Sequence, residues 1–95
     1  VFDDIVKLTP QARAKLFDEV PSEITITALK EAQPEVIEAA LGGVSSRARR
    51  MIEQELTGGA PATKKDVQKA QRWIADLVLD MADRGLIELE RSDDD

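Results

Sequence analysis

The 95 residues predict an all-α fold, a compact bundle of about six helices closed by one long C-terminal helix, and three observations carry that expectation. Apolar residues make up 42% of the chain but aromatics only 3%, so the core has to rest on Leu, Ile, Val and Ala, which favours helix packing over a sandwich. Proline and glycine stand at intervals of helix length, from Pro10 through Pro21, Pro34, Gly42 and Gly58 to Gly85. Between them the apolar residues recur at three and four rather than at two. A chain of this size buries one modest core, so residues 1–90 read as a single domain and the remaining "RSDDD", 91–95, as an acidic disordered tail.

The elements follow in order. "VFDDIVKL" reads as a first turn or two. Thr9 and Pro10 read as N-cap and first helical residue, because proline has no amide hydrogen to satisfy there and its fixed φ suits the first turn. Ala12, Leu16, Phe17 and Val20 then share one face. Pro21 breaks that helix and Ser22 is placed to cap "EITITALKEA". Four residues there, Ile24 to Thr27, are β-branched and could form a strand, but the segment runs into "ALKEA" without a turn signal and is read as helix. Pro34 opens "PEVIEAAL", which Gly42 and Gly43 are expected to stop in the left-handed conformation. Ser45 caps "SRARRMIEQEL", and Gly58 with Gly59 closes it. Thr63 and Asp66 have the spacing of a capping box. Val67, Ala70, Ile74, Leu77, Val78 and Met81 form the stripe of the last helix, with Trp73 read as core beside it and Gly85 as the stop.

Charge and composition exclude several function classes. A net charge of −6 opposes binding to a phosphate backbone, whose affinity comes from Lys and Arg, and opposes anionic membranes alike. There is no cysteine and no histidine, hence no thiolate, no disulfide and none of the commonest general base. No phosphate loop, metal-ligand spacing or activated nucleophile is found, and carboxylate pairs such as Asp3/Asp4 and Asp18/Glu19 read as solvated charge. The expectation is a non-enzyme with no cofactor, no bound metal, no nucleic-acid partner and no inserted segment. Val1 in place of an initiator methionine fits a piece of a larger protein.

One helix carries unusual charge. In "VSSRARRMIEQEL", Ala48, Ile52 and Leu56 face the core, while Arg47, Arg50 and Gln54 form a ridge on the opposite side. Arg49 and Glu53 are four apart and can pair, which leaves a positive strip of Arg47 and Arg50 facing outward. Periodicity alone allows either a solvated face or a surface that steers a charged partner.

The segments "VFDDIVKL", "LFDEV", "ALKEA", "VSSRA", "VQKAQ" and "GLIEL", together with Pro61, occur in the order found in the C-terminal domain of the FliG family, and the chain resembles that family over nearly its whole length. The resemblance implies an armadillo-like helical module on the rotor of the bacterial flagellar motor, at the cytoplasmic face of the inner membrane. It implies a charged helix facing the cytoplasmic loop of the stator subunit MotA, with FliM and neighbouring FliG copies as further partners of the parent protein. Matched position by position, it assigns stator contact to Lys30 in "ALKEA", Arg47 in "SSRA" and Glu55, where the family often has Asp. Gln54 and Thr63 stand where the family often carries charge, and Arg50 adds a cation to the Arg47 ridge. The alternative is an acidic winged-helix DNA-binding or regulatory module, to which "KKDVQKAQRWIADLVLDMADRGLIEL" bears some likeness.

Overall fold

The computed structural model describes residues 2–88, and the expected tail, 91–95, lies outside them. The chain forms a 3-10 helix, Phe2–Lys7, followed by α1 (Pro10–Glu19), α2 (Ser22–Leu29), α3 (Pro34–Leu41), α4 (Ser46–Gly58) and α5 (Lys64–Asp83). No strand occurs among the described residues, so the β-branched run at Ile24–Thr27 is helical, as its continuation into "AL" implies.

Local chemistry sets the helix starts. The hydroxyls of Thr9, Ser45 and Thr63 accept from the amides of Ala12, Ala48 and Asp66 at 3.0, 3.2 and 3.0 Å, each satisfying one of the amides a first turn leaves without a partner. Ser22, expected as the cap of α2, is instead its first residue. Pro21 occupies the cap position, where its carbonyl accepts from Ile24 and Thr25 and no side chain takes part. Helix α2 also stops at Leu29, inside "ALKEA": the Lys30 and Ala32 amides bond to the Thr27 and Leu29 carbonyls in tighter turns, and Gln33 is then extended at ψ 152° ahead of Pro34.

The glycines divide by physical role. Gly42 and Gly43 do not adopt the left-handed conformation expected of them, and among the described residues only Gly85 does, at φ 76°. Gly85 closes α5 in a Schellman motif, with its amide bonded to the Ala82 carbonyl and the Leu86 amide to that of Met81. Gly43 is required by proximity: a Cβ there would lie 2.8 Å from the carbonyl oxygen of Arg13. The close approach seats the α3–α4 turn on α1. Arg13 in turn aims its guanidinium at the Leu8 carbonyl at 2.6 Å, and at those of Ile5 and Val6 at 3.3 Å, capping the end of the 3-10 helix.

The core is mainly aliphatic, with Phe2 and Phe17 as its aromatic members, Leu16, Ala28, Ala40 and Ile74 fully enclosed and Leu29, Ile52 and Met81 nearly so. Helix α5 packs mainly along α2 and more lightly on α1 and the 3-10 helix, while α4 leans on α2. One side chain departs from expectation: Trp73 is 41% exposed rather than core. Ile87, beyond the end of α5, folds back and is buried.

Replacing Gly43 by alanine should cost about 1–3 kcal/mol in urea unfolding, because backbone of α1 must move to admit the methyl group. Gly58, whose added Cβ meets nothing within 4 Å, provides the contrast: Gly58→Ala should stabilise by about 0.4–1 kcal/mol. Equal effects at the two positions would mean that proximity does not decide Gly43. Replacing Thr9, Ser45 and Thr63 singly by alanine should each lower stability by about 1 kcal/mol in the same assay.

Candidate charged interaction surface

Helix α4 buries Ile52 to 1% exposure and half-buries Ala48 and Leu56, which turns the opposite face of the helix outward. Its three arginines then meet different fates. Arg49 is held within the molecule, its guanidinium 3.1 Å from Glu53 one turn on and 3.4 Å from Glu38 on α3. The hydrogen bond to Glu53, together with the field of Glu38, raises its pKa from the ordinary arginine value. Arg49 therefore joins α3 to α4. Arg47 and Arg50 are exposed and form no ion pair among the described residues, and with Ser46, Met51 and Gln54 they line a shallow concavity at the N-terminal half of α4.

Glu55 lies eight residues beyond Arg47, about 12 Å further along the axis and rotated by about 80°. That rotation carries it off the arginine ridge and onto the rim of a second depression, bounded by α2, α5 and the α4–α5 loop. Gly59 lets the Glu55 side chain lie across it, since an added Cβ would come within 2.7 Å of Oε1 and 2.5 Å of the Glu55 carbonyl oxygen. Lys30 lines the same depression, half-buried, and donates to the Ala60 carbonyl of the loop.

The structure thus brings Lys30 and Glu55 to one groove and places Arg47 with Arg50 on a neighbouring face of α4. Thr63, where the family pattern often has a charge, serves as the cap of α5. Trp73 is the residue that pattern reading missed. Its indole forms part of the groove wall beside Lys30. The signal was its offset of one residue from Ile74, about 100° around the helix and so at the border of the buried stripe.

The alternative of a winged helix needs a β-hairpin after the closing helix; of the residues that follow α5 only 84–88 are described, and these hold no strand. No group of carboxylates among them could hold a metal ion, and no helix among them is long and apolar enough to cross a membrane.

Comparison with known proteins agrees with this architecture. The model of the FliG C-terminal domain family matches residues 1–89. The flagellar motor switch protein FliG of Bradyrhizobium diazoefficiens is 34% identical over 96 aligned residues, covering 99% of this chain and 29% of that protein. FliG of Rhizobium meliloti is 31% identical over 94 residues, covering 98% and 27% respectively. A crystal structure of FliG from H. pylori superposes with a TM-score of 0.87 at 29% identity, over 95% of this chain and 40% of that one. Full-length FliG from Aquifex aeolicus gives 0.83 at 26% identity, over 90% and 26%. The chain spans between a quarter and a third of the length of these two curated relatives. Matched by that family model over residues 1–89 and by solved FliG structures over the same helices, the chain belongs to the FliG C-terminal domain family.

Proposed function

We propose that this domain is the stator-facing surface of a flagellar rotor switch protein and that it works without catalysis, through weak contacts between charged side chains. The single observation that supports the reading is the contrast within one helix. Arg49 is satisfied by two carboxylates of its own chain, whereas Arg47 and Arg50 are exposed and form no ion pair among the described residues. A fold that needed these cations only for solubility gains nothing from clustering them on an acidic domain.

In this mechanism Arg47, with Arg50 one turn away, contacts acidic groups on the cytoplasmic loop of the stator subunit MotA. Glu55 addresses cations of the same loop from the adjacent face. Lys30, bonded to the Ala60 carbonyl, acts less as a free cation than as the residue that holds the loop near Glu55. Each exposed pair contributes about 0.2–1 kcal/mol, weak enough for contacts to form and break as the rotor steps. FliM and adjacent FliG copies would be met through the remainder of the parent protein, at the cytoplasmic face of the inner membrane.

The test uses the full-length parent protein in its flagellated host. Arg47→Glu and Glu55→Arg should each leave filaments assembled but paralysed or slowed, as scored by filament staining and tethered-cell rotation. Arg49→Gln, which removes an internal tie, should lower thermal stability and change rotation less than either. Normal rotation in both charge reversals would remove the proposal. The purified domain should also show no salt-dependent retention of duplex DNA in a gel-shift titration, the behaviour that a nucleic-acid binder requires.

A further inference from the structure

The depression that holds Lys30 and Glu55 is more than a charged surface. It is an open groove of about 600 Å³ whose walls are apolar: Ile24 and Ile26 from α2, the loop at 60–62 with Pro61, and the exposed face of Trp73 from α5. This volume lies in the range of sites that take up large apolar groups. The groove is also pre-formed, because Pro61 stiffens one lip and Lys30 holds that lip through the Ala60 carbonyl, which lowers the ordering cost of binding. Around the apolar walls stand three carboxylates, Glu23, Glu55 and Asp66, none in an ion pair among the described residues, while the cations are Lys30, already engaged, and Lys69.

We infer that this groove is a docking site for an amphipathic segment of a partner protein, in which an apolar side chain seats against Trp73 and flanking arginines or lysines meet Glu23, Glu55 and Asp66. An exposed aromatic wall with carboxylates at its rim suits an apolar anchor between cations, and helix-in-groove recognition uses such anchors one turn apart. The identity of that partner as the stator loop rests on the reading above; the chemistry of the groove does not. The contact adds an apolar anchor, made off the arginine ridge, to the charged one.

Trp73 is the only tryptophan in the chain, so its emission reports occupation directly. The probe is a tryptophan-free helical peptide with two leucines four residues apart flanked by arginines, titrated into the 95-residue chain alongside a twin carrying glutamates instead. The arginine peptide should shift Trp73 emission to the blue and bind about tenfold more tightly than its twin. By calorimetry, Trp73→Gln and Glu55→Gln should each weaken it about fivefold or more, while Asp18→Asn, which removes a carboxylate of α1 away from the groove, should leave it unchanged. An emission spectrum that does not move on binding, or an Asp18→Asn effect equal to that of Glu55→Gln, would show bulk charge attraction and overturn the inference. Peptide binding in the groove combined with normal rotation of both the Arg47→Glu and the Glu55→Arg strains would support the groove while removing the stator as partner. A paralysed Arg47→Glu strain with no peptide binding would overturn the groove and keep the stator reading.

Discussion

The packing of α5 along α2 is the constraint on which the rest of the domain depends. With few aromatic residues available, stability has to come from long aliphatic contact, and the 20-residue α5 supplies it through Ala70, Ile74 and Met81, which share one core cluster with Ala28 and Leu29 of α2. Gln71 adds a hydrogen bond across the seam, donating at 2.9 Å to the Ala28 carbonyl, whose helix is about to end. The bond helps fix where α5 lies along α2. With these two helices placed, α4 packs mainly on α2, and burial of Ile52 decides which of its residues face outward.

Charge is organised around that frame by a division of labour. Glu38, which ties α3 to α4, and Glu53, one turn along α4 itself, both pair with Arg49. Arg13 and Lys30 are directed at backbone carbonyls, where a cation closes a helix end or holds a loop. Two of the cations without such work, Arg47 and Arg50, lie together on one ridge. Exposed pairs made from that ridge are weak individually and screened by salt, which suits a surface that has to release its partner as readily as it engages.

The apolar groove complements the ridge physically. Charges attract from a distance without much geometric selectivity, whereas a pocket walled by Trp73 and Pro61 rewards one shape at short range. The two lie on adjacent faces of α4, linked by Glu55, which belongs to the helix of the first and the rim of the second. Gly59 is the residue that makes this placement possible, since any side chain there would collide with the Glu55 carbonyl.

Much of the fold was legible in the sequence because local chemistry controls it. Thr9, Pro10, Ser45, Thr63 and Gly85 act through neighbours within about one turn, so a linear reading places them correctly. The same holds for the outward ridge of Arg47 and Arg50 and for the Arg49–Glu53 pair, which follow from helical spacing alone. Tertiary structure decided what distance along the chain conceals. Gly43 is required by Arg13, thirty residues earlier; Lys30 is claimed by the Ala60 carbonyl, thirty residues later; and Arg49 gains a second carboxylate from another helix. Trp73 shows the limit most clearly. Its spacing puts it at the border of the buried stripe, and it stays 41% exposed because the groove it borders is left open between α2, α5 and the loop at 60–62. Periodicity gives the direction in which a side chain points, and only packing determines whether anything is there to cover it.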